Sequence, residues 1–335
     1  MLQSAHMPKH IAILGAGNMG TALAVCAARH APVVLWSVES DVIEQIAKRR
    51  ENTKYLAGVR LPRTVRAVAR IENAVEGAGL VIVAVPSHVV QTVSRQMARH
   101  LSPTTLVLNV AKGVDEASLA PMIDVVEDEL PRPNKKLLAT LSGPSIATEF
   151  AAGQPTVVNV AAHDVRVARR VARLLETPTF RIRPTADVAG TAFGGTLKNV
   201  YALALGMCDG AKLGANTKAA LLTLAVEEMN RLMRALGATS SDAVHGFAGL
   251  GDLFVTGTST HSRNRRFGEE LCLDASCRIR MNDPAQTIEG VRAVRALAPF
   301  AKRKKIVAPL LFLVDRVLFA GADPGREIRK TISRI

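Results

Sequence analysis

Apolar residues in the first half of the chain gather into short unbroken runs. His10-Ile11-Ala12-Ile13-Leu14, Val33 to Trp36, Leu80 to Val85, Leu106 to Val110, Leu137 to Leu141 and Thr156 to Val160 each read as a strand, most of them ending in a polar or glycine-containing turn. Runs that are apolar throughout, not alternating, belong to parallel strands covered by helices on both faces. An alanine-rich helical stretch, Thr21 to Arg29, separates the first two runs at the spacing of a βαβ unit. From about Asp187 the pattern changes to helical periodicity. Helices are predicted from Val188 through Gly206, after Asn216 to Leu236 with Gly237 as the stop, after Ser262, over Glu289 to Ala298 and over Val307 to Ala320, with Gly246 to Gly257 as a loop. Pro131, Pro133 and Lys135-Lys136 mark a surface connection.

The first run leads directly into Gly15-Ala16-Gly17-Asn18-Met19-Gly20. A GxGxxG between a strand and a helix is a dinucleotide fingerprint, with the pyrophosphate on the helix N-terminus. Gly15 serves the tight turn, Gly17 lets the backbone approach the phosphates, and Gly20 lets helix and strand pack closely. Gly15, Gly17, Asn18, Met19, Gly20 and Trp36 are therefore assigned to an NAD or NADP cofactor. The fold class expected is α/β: a Rossmann-type parallel-sheet domain over residues 1–186, then an all-helical substrate-binding domain over 187–335. An NAD-selective site usually ends its second strand in Asp or Glu, about 20 residues beyond the glycines. Here Trp36-Ser37 stands there, Glu39 comes slightly late, and no arginine follows immediately, so the choice between the two cofactors is left open. For Trp36, stacking near the adenine and simple packing both fit.

Composition narrows the class. The 335 residues suffice for two cores, and 48% hydrophobic with 21% charged residues describes a soluble globular protein, while apolar runs such as Leu80 to Val85 are far too short to span a bilayer. Residues 1–7 lack the features of a signal peptide. The four cysteines form no CxxC pair, which fits free thiols in the cytoplasm. Eight histidines without metal-ligand spacing predict no metal. The net charge of +14 raises nucleic-acid binding as an alternative, but only 4% of residues are aromatic, which supplies a poor stacking platform. Lys302-Arg303-Lys304-Lys305 reads as a solvated basic surface. Basic surfaces also steer anionic substrates.

Two segments carry candidate chemistry. Ser262-Arg263-Asn264-Arg265-Arg266-Phe267-Gly268 places three arginines behind a helix-capping serine. Free N–H groups, the positive helix end and the guanidiniums would converge on one anion, phosphate above all; a solvated basic turn and a nucleic-acid contact are the other readings. The second segment is Gly194-Gly195-Thr196-Leu197-Lys198-Asn199. At helical spacing Lys198 shares a small apolar face with Gly194, Gly195, Tyr201, Ala202 and Leu205. Two adjacent glycines weaken a helix by up to ~1 kcal/mol each, so their presence points to the close approach of another element or a ligand. A lysine there would be partly desolvated and its pKa lowered into an acid–base range; a lysine that snorkels to water is the other reading, and the glycine pair beside a nucleotide domain favours the first.

Taken in order, these motifs resemble the bacterial-type NAD(P)-dependent glycerol-3-phosphate dehydrogenases. The resemblance also rests on Pro86-Ser87-His88-Val89, Ala111-Lys112-Gly113, Ser142-Gly143-Pro144-Ser145, Glu149-Phe150-Ala151-Ala152-Gly153, Asn216-Thr217-Lys218-Ala219-Ala220 and Ala248-Gly249-Leu250-Gly251-Asp252-Leu253. Leu224-Ala225 and Gly257 depart from the family pattern at positions given no chemical role. The resemblance implies interconversion of dihydroxyacetone phosphate and glycerol 3-phosphate for phospholipid synthesis, on a small phosphorylated substrate and not on nucleic acid, in a homodimer. It implies Lys198 as the proton-exchanging catalytic residue, with Asp252 as its electrostatic partner and Asn199 orienting Lys198 or the substrate. Lys112 would polarise the carbonyl beside the nicotinamide. Gly143, Ser145, Ser262, Arg263 and Asn264 would line the substrate, and Ala147, Thr287, Glu289, Lys112 and Arg263 would touch the cofactor. The β-hydroxyacid dehydrogenases are the nearest rival, sharing the nucleotide domain and a catalytic lysine but binding carboxylates. A basic nucleic-acid-binding protein on the same scaffold is the rival from another class.

Overall fold

The computed structural model describes residues 8–238, 240–282 and 288–335. Eight strands form one sheet: β1 (Ile11–Leu14), β2 (Val33–Trp36), β3 (Val65–Val68), β4 (Leu80–Val83), β5 (Leu106–Asn109), β6 (Leu138–Ser142), β7 (Thr156–Ala161) and β8 (Phe180–Thr185). Their order is β3-β2-β1-β4-β5-β6-β7-β8, and the pairs from β3 across to β6, as well as β7 with β8, run parallel. The chain winds outward through β2 and β3 and then returns to the other side of β1 at β4. That reversal between β1 and β4 is the switch point at which doubly wound sheets bind ligands. The central strands are buried along their whole length, as their unbroken apolar runs require.

Two of these strands were not anticipated. β3 and β8 lie at the two sheet edges, where each strand has positions open to water and no unbroken apolar run forms. β8 shows the alternation of an edge instead: Phe180 and Ile182 are buried, and Arg181 and Arg183 are exposed.

The chain divides into two compact units. The first comprises Met1–Ala111, Met122–Leu141 and Ser145–Val188; the second comprises Lys112–Pro121, Ser142–Pro144 and Ala189–Ile335. The first unit packs Ile11, Ile13, Leu23, Leu35, Ile82, Leu108, Val158 and Phe180 into one core. The second gathers Leu197, Tyr201, Leu205, Met229, Leu253, Phe267, Val294 and Leu311 from its helices. Each fully buried large side chain contributes about 1.5–3 kcal/mol relative to exposure, so both units hold enough apolar surface for a core of their own.

In the second unit, helix Val188–Gly210 packs against helices Ala215–Ala235, Arg263–Leu273 and Glu289–Arg303, and helices Pro309–Phe319 and Pro324–Ile332 follow. A buried carboxylate ties three of them. Glu228 accepts from the backbone N–H of Leu310 (2.5 Å) and of Leu311 (3.1 Å) at the start of helix Pro309–Phe319, and from the Tyr201 hydroxyl at 3.2 Å. Burial pushes its pKa up to about 7 against the lowering effect of these donors.

The expected loop from Gly246 to Gly257 is a correction. Phe247–Gly251 forms a π-helical turn that runs into helix Asp252–Thr258. Its glycines serve packing and not a turn. A Cβ on Gly249 would stand 2.2 Å from the Val244 carbonyl oxygen, and one on Gly257 2.2 Å from the Leu205 side chain.

Candidate active site

In the first unit, Gly15 adopts φ +114°, and a Cβ there would lie 2.5 Å from the Ala84 carbonyl oxygen at the end of β4. Gly20 faces the Gly15 carbonyl, where a Cβ would approach to 1.9 Å, so β1 and helix Asn18–Ala27 meet backbone to backbone. Gly17 differs from both. A Cβ on it would meet nothing within 4 Å. The turn is thus closed against the protein at Gly15 and Gly20 and open at Gly17, beside the exposed Asn18 and half-buried Met19 at the helix N-terminus. That arrangement fits a pyrophosphate seated on the first helical turn. Trp36 is buried at the end of β2, and its indole N–H donates to the Ala69 carbonyl at 2.9 Å.

The second unit builds a compact charged cluster from four segments. Lys198, from helix Val188–Gly210, donates to Asp252 Oδ1 at 2.5 Å and to Thr256 Oγ1 at 2.8 Å. Lys112 donates to the other carboxylate oxygen, Oδ2, at 2.6 Å, and the Ser142 hydroxyl reaches that oxygen at 3.4 Å. Asp252 and Thr256 stand one turn apart on helix Asp252–Thr258, so their side chains share a face. Glycines permit the assembly. A Cβ on Gly195 would meet Ser142 Oγ at 2.5 Å and Lys112 Cδ at 3.3 Å, and one on Gly194 would meet the Ala248 carbonyl oxygen at 2.6 Å. The close approach expected at the glycine pair comes from these segments.

Lys112 has its own support. The Gly113 N–H donates to Thr196 Oγ1 at 3.2 Å, while that hydroxyl donates to the Ala192 carbonyl at 3.1 Å. Thr196 is buried, and its hydroxyl fixes the backbone next to Lys112.

Burial dominates the electrostatics. It pushes the Lys198 pKa down to about 7; the Asp252 carboxylate works against that shift and the Lys112 ammonium adds to it. Burial also raises the Asp252 carboxyl, but the two ammoniums overcome it and hold the group below the usual carboxylate range. Two ammoniums on one carboxylate leave a net charge of +1 when both lysines are protonated. A single proton leaving Lys198 makes the cluster neutral.

Ser262 caps helix Arg263–Leu273 as expected, its hydroxyl accepting from the Arg265 N–H at 3.2 Å. The arginines do not converge on one point, which corrects that expectation. Arg263 and Arg266 are exposed, whereas Arg265 turns back to Asp209 at 2.6 Å and to Glu269 at 3.2 Å. Asn264 is buried; its amide donates to Asn199 Oδ1 at 3.0 Å and its oxygen accepts from the Gly290 N–H at 2.9 Å. Asn264 thereby links Asn199, on Lys198's helix, to the start of helix Glu289–Arg303, next to Glu289. Gly143, with φ +142°, follows Ser142 in the second unit, while Ser145 and Ala147 belong to the first. Thr287 lies outside the described residues.

Three residues of the cluster escaped sequence reasoning: Thr256, Ser142 and Thr196. A helix drawn through Asp252 would have placed Thr256 beside it at i+4. For the other two, no local signal marks the contact, because Ser142 and Thr196 meet their partners across 110 and 83 residues. Among the described residues no group of three His, Cys, Asp or Glu is arranged to hold a metal ion, and no helix is long and apolar enough to cross a membrane.

Comparison with known proteins gives consistent results over nearly the whole chain. Residues 10–168 match the model of the NAD-dependent glycerol-3-phosphate dehydrogenase N-terminus, and residues 187–329 that of its C-terminus. A glycerol-3-phosphate dehydrogenase [NAD(P)+] of Anaeromyxobacter dehalogenans is 41% identical over 323 residues, covering 96% of this chain and 97% of its own. One from Clostridium tetani is 36% identical, covering 97% and 93%. The crystal structure of the Coxiella burnetii glycerol-3-phosphate dehydrogenase superposes with a TM-score of 0.87 at 34% identity, over 97% of this chain and 99% of that one.

Proposed function

The chain belongs to the NAD-dependent glycerol-3-phosphate dehydrogenases, oxidoreductases that use NAD or NADP, and from that premise we propose how its own residues interconvert dihydroxyacetone phosphate and glycerol 3-phosphate. The observation that carries the reading is the buried Lys112–Asp252–Lys198 cluster. When bound, the reduced nicotinamide supplies the hydride to C2 of the ketone. Lys198 supplies the proton to the C2 oxygen, and in the reverse direction its amine takes that proton back.

The charge of the cluster suits both ends of this step. At +1 it draws an anionic substrate and opposes the negative charge that develops on the oxygen. Once the proton has left, Lys112 and Asp252 remain as a compensated pair, so no unpaired charge stays buried. Lys112 polarises the carbonyl from the same side. Ser262, Arg263 and Asn264 receive the phosphate at the N-terminus of helix Arg263–Leu273, with Gly143 and Ser145 lining the substrate. The backbone from Gly15 to Gly20, with Trp36, Lys112, Ala147, Arg263, Thr287 and Glu289, holds the dinucleotide. In this reading residues 1–186 form the cofactor-binding domain and 187–335 the substrate-binding domain, each lending residues to the other's ligand. The enzyme works as a cytoplasmic homodimer on a small phosphorylated molecule and not on nucleic acid, and its glycerol 3-phosphate feeds phospholipid synthesis.

The test is oxidation of reduced cofactor with dihydroxyacetone phosphate, followed at 340 nm, with a β-keto acid in parallel. Turnover of the phosphorylated ketone alone supports the reading. Turnover of the keto acid in its place would move the enzyme to the hydroxyacid dehydrogenases.

A further inference from the structure

We propose that this enzyme selects NAD over NADP, and that Glu39, held in place by Tyr55 and Lys54, is the selecting residue. The inference rests on the dinucleotide reading above and concerns only the first unit. In a sheet of this topology the adenosine ribose lies beyond the carboxyl end of β2, where an acidic side chain bonds the 2′-hydroxyl or a cation accepts a 2′-phosphate.

At that end the chain runs Trp36-Ser37-Val38-Glu39 and then enters helix Ser40–Arg49. The Ser37 hydroxyl accepts from the Glu39 N–H at 3.1 Å, which turns the backbone so that Glu39 follows the strand end directly. Its carboxylate is fixed on both oxygens. Oε1 accepts from the Tyr55 hydroxyl and Oε2 from Lys54 Nζ, each at 2.7 Å. A carboxylate has about four acceptor sites, so each oxygen can still take a ribose hydroxyl. Glu39 arrives later in sequence than the usual acidic residue, and this pinned geometry is what lets it take that place.

The surrounding charge opposes a 2′-phosphate. Lys54 is bracketed by Glu39 and by Asp41 at 3.7 Å, so its ammonium is already shared between two carboxylates. The neighbouring β3 end carries Arg70, whose guanidinium is engaged by Glu72. Three carboxylates, those of Glu39, Asp41 and Glu72, are thus set against Lys54 and Arg70. A phosphate carrying nearly two negative charges would have to enter that field. Val38, 79% exposed between Ser37 and Glu39, offers it no donor from its side chain.

The test compares kcat/KM for NADH and NADPH, with dihydroxyacetone phosphate, in the wild-type enzyme and in Glu39→Gln and Val38→Arg. The wild type should favour NADH at least about tenfold, the size of effect that one charged contact supplies. Glu39→Gln, which keeps an acceptor for Tyr55, should lower kcat/KM for NADH and raise it for NADPH. Val38→Arg, at an exposed position that packs against little, should raise kcat/KM for NADPH about tenfold or more. Equal use of both cofactors by the wild type overturns the proposal while leaving the dehydrogenase reading intact. An unchanged cofactor ratio in Glu39→Gln overturns the role of Glu39. Activity with neither cofactor overturns the proposed function itself.

Discussion

Lys112 and Lys198 donate to opposite oxygens of one carboxylate, that of Asp252, at 2.6 and 2.5 Å. The carboxylate therefore holds both ammoniums at once. It also brings the Lys112 charge close enough to depress the pKa of Lys198. The pair behaves as one proton-handling unit.

Lys198→Ala should lower kcat by about 10²–10⁴-fold with cofactor affinity nearly intact, since a general acid is lost from the transition state. The pH dependence has a definite sign. Ketone reduction needs the ammonium, so its rate should fall as pH rises through about 7; alcohol oxidation needs the amine and should rise through the same value. Parallel pH–rate profiles in the two directions check both statements. Profiles that move together would remove Lys198 from the proton transfer.

Thr196→Val keeps the side-chain volume but takes away the acceptor of the Gly113 N–H. Released from that anchor, Lys112 should depress Lys198 less, and the falling limb of the reduction profile should shift to higher pH. Thr196→Ser should restore it. A loss of stability without any movement of the limb would make Thr196 a packing residue only.

Gly17→Val should abolish NADH and NADPH binding, measured by fluorescence titration, while the variant stays folded. The backbone there has φ −72°, which any residue adopts, and a Cβ meets no protein atom within 4 Å. Undiminished titration would place the pyrophosphate elsewhere.

Arg263→Ala should raise KM for dihydroxyacetone phosphate about ten- to a hundredfold, the range of a charge-assisted contact to phosphate. Unphosphorylated dihydroxyacetone should be reduced equally poorly by variant and parent. If the variant handles the phosphorylated ketone as well as the parent does, the Ser262 cap is not the phosphate site.

Glu228→Gln should flatten the dependence of stability on pH. The buried carboxyl has a folded pKa of about 7, above its ordinary value of 4.5. Its contribution is therefore fully present below pH 4.5 and is lost as pH rises through 7, a change on the order of 3 kcal/mol. Thermal unfolding of both proteins between pH 5 and 8 measures it. A wild-type Tm that does not fall over this range would contradict the raised pKa.

Much of this was legible in the chain itself. The unbroken apolar runs marked the central strands, because residues buried on both faces leave no alternation to misread. Lys198 was legible for a related reason: two glycines in a helix require something to approach, and Ser142 and Ala248 do so. Asp252 was legible only through family resemblance, since its segment, rich in glycine, reads as a loop. Those glycines admit neighbouring backbone and side chains, a tertiary cause with no local trace. The arginine turn misled in the opposite way. Composition made its guanidiniums look like one receptor, but Asp209, more than 50 residues earlier, withdraws Arg265 from it.

The second unit is not a contiguous stretch of chain. Lys112–Pro121 and Ser142–Pro144 belong to it although the chain on either side of each belongs to the first. A gene fragment that begins at residue 187 would encode Lys198, Asp252 and Thr256 but neither Lys112 nor Ser142, reducing the +1 cluster to a neutral ion pair. The two halves are therefore poor cassettes for recombination. A chimera joined at that boundary would inherit one lysine of the shared carboxylate from each parent, and its working pH would be set by how well those two lineages agree.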